Sequence, residues 1–305
     1  MVKALYLNLL AFRHQRLRLS RIAWKIQRVC RLAALFGIAL IVVSCASTLP
    51  NVPPLGESGV FLPGKVVWHD LVTPDIKTAK EFYGNLFGWG FEDLSSGYVL
   101  ASHNGRHIAG IAKLDLPNKS SNWLPLLSVA DMDRTLAEAT TAGGKTVLKP
   151  FDLSNRGRVA VLKDPQDAAF GIVQSSEGDP ADREPEVNGW LWNEIWTEDV
   201  PSAITFYEIV GKYRMAEKTF GDVRYCYMES NGKPRLGLIE KPSPEMGNTW
   251  VAYIRVADVK STVEKAKALG GKVLMEPQES IRHGSVAVLT DPNGAGFVVQ
   301  EWVKY

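Results

Sequence analysis

The stretch "VVWHDLVTPD", from Val66 to Asp75, sets two chemistry-bearing residues side by side. His69 is a base and metal ligand near neutral pH, and Asp70 is a carboxylate. On a strand they cannot act together, because successive side chains point to opposite faces. Trp68, Asp70 and Val72 fall on one face, and Val67, His69 and Leu71 on the other. A second copy, "LWNEIWTEDV" from Leu191, repeats the first face as Trp192 and Glu194, adds Trp196, and puts Asn193 in the place of His69. A carboxylate beside a large aromatic ring is desolvated, gains a raised pKa and can serve as a general base. Asp70 and Glu194 are therefore the catalytic candidates. The competing reading is structural, with each acid accepting hydrogen bonds from a neighbouring strand. Repetition favours the structural reading, since a catalytic pair is needed only once per chain. Trp68, Asp70, His107, Trp192, Glu194 and Trp196 are the candidate ligand-binding residues. His103 and His107, four apart on a loop–strand edge, are the candidates for a metal. Cys226, in the alternating run "VRYCYM", reads as a buried structural thiol.

These residues are positioned by one module written twice. "VWHDLVTPDIKTAKEFY" from Val67 matches "LWNEIWTEDVPSAITFY" from Leu191 at an offset of 124, and "VAVLKDP" from Val159 matches "VAVLTDP" from Val286 at 127. "GGK" at Gly143 returns at Gly270, and Trp123 returns as Trp250, both of which read as core. Within each copy a strand leads to a helix starting near Pro74–Asp75, where Asp opposes the positive dipole end. Ala79, Phe82, Tyr83 and Leu86 form an apolar stripe at helical spacing. Short strands follow near Tyr98–Ser102 and His107–Leu114, then a second strand and helix from Trp123 with Asp131 near the N-cap. The order βαβββ, twice per copy, predicts an α+β fold. "DPQD" and "DPNG" read as tight turns, the second fitting better because Asp167 replaces its Gly.

The order and the repeat resemble the vicinal oxygen chelate superfamily, which includes glyoxalase I, bleomycin-resistance proteins and extradiol dioxygenases. "TPDIKTAKEFYGNLFGW", "ADMDRTLAEATTAGGKTV" and "DPQDAAFGIVQ" carry the resemblance, with their counterparts in the second copy; it covers nearly all of Pro63–Trp302 and is nearest to the two-domain, glyoxalase-like branch. It implies two tandem domains, each of paired βαβββ modules curling a sheet around a cleft. It also implies metal ligands, usually His and Glu, on the first and later strands. The aligned first-strand positions are Trp68 and Trp192, the fifth-strand positions fall near Leu124 and Val251, and the last-strand positions near Gly171 and Val298. None is a ligand for a divalent cation, so no cofactor is predicted. The alternative is a divalent metal held by His103, His107 or Asp70 in a rearranged site. His283 in "SIRHGSV" aligns with Arg156 in "LSNRGRV", which puts both at a cleft rim or in a solvated turn.

The chain's beginning has its own composition. Residues 1–44 carry eight Lys or Arg and no acid, while the remainder has 27 basic against 33 acidic residues, a charge of about −6. A nucleic-acid partner is excluded for the body on that charge. Basic residues up to Arg31, the apolar run Leu32–Val43 and "SC" at Ser44–Cys45 resemble a bacterial lipoprotein signal, with Cys45 as the lipidated residue. The expected organisation is a signal peptide over 1–44, a flexible Pro-, Gly- and Ser-rich tether over 45–62, a first domain over 63–176, a linker over 177–186 and a second domain over 187–305. The expected function is binding of a small hydrophobic or aromatic molecule in an apolar, Trp-lined cleft by a protein anchored through lipid to the cell membrane or outer membrane. Its body would lie on the periplasmic or extracellular side, as a monomer or homodimer. The alternatives are a metal-dependent lyase, isomerase or dioxygenase, whose catalytic status stays open at this point, and an envelope interaction module.

Overall fold

A computed structural model describes residues 51–302 apart from 96, 115–119 and 221–222. The basic segment, the apolar run and the expected lipidation residue Cys45 lie outside the described residues. No described helix is long and apolar enough to cross a membrane.

The first domain runs β1 (Val66–Thr73), α1 (Ile76–Phe87), β2 (Gly90–Ser95), β3 (Tyr98–His103), β4 (Arg106–Lys113), β5 (Asn122–Ser128), α2 (Met132–Thr141), β6 (Lys145–Leu153), β7 (Gly157–Lys163) and β8 (Ala169–Ser175). The second repeats it as β9 (Trp190–Thr197), α3 (Val200–Val210), β10 (Arg214–Phe220), β11 (Val223–Ser230), β12 (Lys233–Glu240), β13 (Thr249–Val256), α4 (Val259–Ala268), β14 (Lys272–Met275), β15 (Val286–Thr290) and β16 (Gly296–Glu301). Each domain is one eight-stranded sheet, ordered β2-β3-β4-β1-β5-β8-β7-β6 and β10-β11-β12-β9-β13-β16-β15-β14. The two modules of a domain meet at the antiparallel pairs β1–β5 and β9–β13, so the expected paired βαβββ architecture is the one observed.

Local chemistry starts every helix in the same way. Asp75, Asp131, Asp199 and Asp258 are N-caps whose side chains accept the backbone N–H three residues on, satisfying a donor the helix leaves unpaired. On α1 the buried residues include the predicted stripe Ala79, Phe82, Tyr83 and Leu86.

What that stripe packs against could not be read locally. One core joins Phe82, Tyr83 and Leu86 of the first domain to Val259, Val263 and Phe297 of the second; its twin joins Phe206 and Tyr207 to Phe170 and Met132. Each first helix thus packs on the second module of the other domain. The repeated "GGK" follows from this. Gly143 and Gly270 take positive φ where the helices end, and a Cβ on Gly144 or Gly271 would lie 2.9 or 3.0 Å from the ring of Phe206 or Phe82 across the interface.

One expectation needs correction. A register shift between Val66 and Trp68 makes Val67 a bulge residue. Val67 therefore packs with Trp68, and only His69 and Leu71 keep the helix side. Residues 51–62, part of the expected tether, make contacts with the first domain and the linker. Val52 is buried, Gly59 N–H donates to Glu177 O, Asp179 N–H donates to Val60 O, and the Asp179 carboxylate accepts from Leu62 N–H. Composition marks such a stretch as lacking regular structure, which is a different property from lacking contacts.

Candidate functional site

The face of the first sheet that carries Trp68 and Asp70 is apolar, with Leu126, Val159, Val173 and Phe151 around Trp68. Asp70 Oδ1 accepts from Trp68 Nε1 at 3.0 Å and from the Tyr98 hydroxyl at 2.8 Å. Burial pushes the Asp70 carboxyl above its usual range, against the pull of Arg156 and of these two hydrogen bonds. The Arg156 guanidinium lies 4.1 Å from the Trp68 ring centroid. Gly110 sits opposite Asp70 because a Cβ there would come within 2.1 Å of both Asp70 Oδ1 and the Tyr98 hydroxyl.

The second domain repeats this arrangement with one more methylene on the acid. Glu194 has no solvent exposure. It accepts from the Tyr225 hydroxyl at 2.7 Å, from Trp196 Nε1 at 3.1 Å, from Arg282 Nη2 at 2.9 Å and from the Tyr253 hydroxyl. Trp192 Nε1 donates to Tyr225 at 2.8 Å. Four donors saturate the carboxylate, which is how a charge survives without water. Burial raises the pKa of Tyr225 and Tyr253, so both stay protonated donors. Met246, Met275 and Ile281 complete an apolar wall with Val251, Val286 and Val288.

The structural counterpart of Arg156 is Arg282, one residue before the linear match to His283. Arg282 and His283 both take positive φ, at 48° and 54°, and this turn carries the arginine inward. His283 is exposed and pairs with Glu279 instead. The tyrosines and Arg282 were missed because their role depends on strand register, and Arg156, expected at a cleft rim or in a solvated turn, is buried against Trp68. The available signal was the shared offset of 127 that relates Tyr98 to Tyr225 and Gly110 to Gly237.

The remaining candidates lie elsewhere. His69 is buried on the helix side, stacks on Trp190 at 4.0 Å and lies 2.8 Å from Asn193 Oδ1, its own counterpart in the repeat. Burial lowers its pKa to about 4. His103 bonds to Val187 O at 2.9 Å, while His107 pairs with Glu92 at 3.4 Å. Both are spent on separate partners, and no group of three or more His, Cys, Asp or Glu converges among the described residues. Register refines the strand positions where metal-using members would place ligands. Leu126, rather than Leu124, lies opposite Trp68, and Gly171 pairs with Leu126; in the second domain Tyr253 lies opposite Trp192 and Val298 beside it. Trp, Leu and Gly in one domain, and Trp, Val and a Tyr engaged with Glu194 in the other, do not fit a divalent cation. Cys226 is half-buried. A cavity of about 970 Å³ follows the seam between the domains, bordered by Trp68, His107, Trp190, Trp192 and the segment Pro53–Ser58.

Comparison with known proteins places this geometry. The Glyoxalase/Bleomycin resistance protein/Dioxygenase superfamily matches residues 65–171 and 191–299. A Mycobacterium tuberculosis protein named "Putative glyoxylase CFP32" is 34% identical over 242 residues, 76% of this chain and 92% of its own. The "Anthracycline biosynthesis protein DauV" of a Streptomyces species is 31% identical over 267 residues, 79% of this chain and 94% of its own. Among solved structures, the Mn(II)-bound glyoxalase of Novosphingobium aromaticivorans superposes with a TM-score of 0.54 at 14% identity, covering 78% of this chain and 82% of that one. A homoprotocatechuate 2,3-dioxygenase variant from B. fuscum superposes with a TM-score of 0.56 at 14% identity, covering 82% and 75%. At such identities the structures share the fold.

Proposed function

The chain belongs to the glyoxalase/bleomycin resistance protein/dioxygenase superfamily, and on that premise we propose that it binds a small hydrophobic or aromatic molecule in its Trp-lined clefts without the metal its catalytic relatives use. The observation that carries this reading is the donor set. The register positions suited to metal ligands hold Trp68, Leu126 and Gly171 in one domain, and Trp192, Tyr253 and Val298 in the other.

The acid of the second domain supports the same reading. A general base must offer a lone pair to a substrate proton. Glu194 is fully enclosed and already accepts four hydrogen bonds. It acts as a structural counter-charge, leaving ring faces and apolar walls to hold a ligand. The second cleft, whose Arg282 remains partly exposed, is the accessible one. Titration with a library of aromatic compounds tests this through intrinsic Trp fluorescence. Quenching that disappears in Trp192→Phe supports it. A cleft that responds to no compound supports an interaction module instead, and chelator-sensitive turnover of a glyoxal or catechol substrate supports the metal-dependent enzyme.

The location belongs to the same proposal. Ser44–Cys45 after an apolar run supports export and lipid anchoring, with the body outside the membrane. Replacing Cys45 with Ser is expected to move the protein from the membrane to the soluble fraction.

A further inference from the structure

Arg156 and Arg282 occupy equivalent places and have very different surroundings. Arg282 is satisfied, with Nη1 donating to Gln300 at 2.7 Å and Nη2 to Glu194 at 2.9 Å. Arg156 has neither partner. Val173, which pairs with Val159 as Gln300 pairs with Val286, stands in place of the glutamine. Asp70 is one methylene shorter than Glu194, and its Oδ1 is taken by Trp68 and Tyr98. Nε of Arg156 reaches Pro53 O and Nη1 reaches the Tyr98 hydroxyl, each at 3.3 Å, while Nη2 is buried with no hydrogen-bond partner. A guanidinium presents a planar fork that carboxylates fill with two parallel bonds. Leaving one arm of it buried and unmet is costly.

Burial of this arginine is the work of the chain's own segment. Arg156 is only 1% exposed, whereas the Arg282 side chain is 37% exposed. The difference is residues 51–55. Val52 is buried, Leu55 packs into the Trp68 cluster, Pro53 offers its carbonyl to Arg156, and Asn51 accepts from Asn155. A neutral carbonyl at 3.3 Å is a weak substitute for an anion. Downstream the segment is pinned at Gly59, Val60 and Leu62, but the outer side of Pro53–Ser58 borders the seam cavity of about 970 Å³, so it has room to swing.

We propose that the cleft of the first domain is a second ligand site, for a planar aromatic carboxylate, which residues 52–55 fill in this structure and vacate on binding. The carboxylate takes the Nη2 fork of Arg156, and the ring lies among Trp68, Leu126, Val159 and Val173. The site rests on the reading of these clefts as small-molecule sites and adds the ligand's charge and a built-in competitor.

Hydrogen–deuterium exchange and calorimetry on the full chain test it, with 2-naphthoate as the probe and uncharged 2-naphthylmethanol as its control. Saturating 2-naphthoate is expected to speed amide exchange across 51–58. Leu55→Ser, which weakens the segment's seat without adding charge, is expected to tighten naphthoate binding by about tenfold, corresponding to ~1.4 kcal/mol. In that background Arg156→Met is expected to make the acid and the alcohol bind alike. Arg156→Lys, which keeps the charge and loses the fork, serves if the Met variant does not fold and is expected to lie between the two. Unchanged or slowed exchange in 51–58 at saturation, or naphthoate affinity indifferent to Arg156, overturns the proposal. If quenching at Trp192 persists in that case, this proposal alone has failed. If neither compound binds either cleft, the reading of the clefts as ligand sites has failed with it.

Discussion

Glu194 is the residue on which the second cleft depends. Its four donors include the charged but partly exposed Arg282, so Glu194→Ala leaves that cation and three polar groups without their acceptor. The unmet buried donors are expected to cost about 1–3 kcal/mol, read as a lowered midpoint in urea unfolding, with Glu194→Gln milder because it keeps the shape. His69 makes a pH prediction. Its folded pKa of about 4 lies below its ordinary 6.5, so the unfolded chain binds the extra proton. Stability is therefore complete above about pH 6.5 and falls as pH drops toward 4, by about 3 kcal/mol in all. Asp70, Asp164 and Asp291, with pKa values raised by burial, act in the opposite sense. The His69 share is thus the difference between the native protein and His69→Gln across that window, and an identical pH profile for the two would refute it. Alternation along β1 was enough to separate His69 from Trp68 and Asp70 in the sequence. It could not show that Tyr98 donates to Asp70 or that Arg156, in the turn between β6 and β7, reaches Tyr98 and the Trp68 ring, because those contacts depend on a strand register that no local pattern fixes.

At the scale of elements, the repeat is used to exchange contacts between domains. Trp250 Nε1 donates to the Tyr207 hydroxyl at 2.9 Å, which donates to Asp164 of the first domain at 2.9 Å; Trp123 donates to Tyr83 at 2.9 Å, which reaches Asp291 of the second domain at 3.4 Å. Asp164 and Asp291 are the acids of the two "DP" turns, and Tyr83 and Tyr207 end the two "FY" pairs. Both motifs were visible in the sequence, but their pairing was not, since nothing local says that a turn in one copy serves a helix in the other. Tyr207→Phe leaves the Trp250 donor and the Asp164 carboxylate short of a partner and is expected to cost about 1–3 kcal/mol. Tyr83→Phe is expected to cost less because its bond to Asp291 is longer. Gly144→Ala brings a Cβ to 2.9 Å from Phe206 and to 3.0 and 3.1 Å from two backbone carbonyls. About 1–3 kcal/mol of overpacking is expected, measurable by thermal unfolding.

For the whole molecule, two cores each drawn from both domains mean that neither domain buries its helix faces alone. Urea unfolding followed by Trp fluorescence and by far-ultraviolet circular dichroism is expected to give one coincident transition. A stable, soluble fragment spanning 63–176 would contradict it. The sequence repeat led to two similar sheets, and its length made each domain legible, whereas the packing of 51–62 onto the first cleft was hidden in a stretch whose composition says only that it is irregular. We propose that this member of the superfamily holds ligands on aromatic and apolar surfaces and not through a metal. The most direct test is elemental analysis of the purified full chain by plasma mass spectrometry, made before and after incubation with Zn²⁺, Mn²⁺ and Fe²⁺ followed by desalting. No stoichiometric metal in any sample is the predicted result. Stoichiometric metal retained through desalting in either domain would contradict this reading, and its loss on replacing His103 or His107 would locate the ion in the first domain.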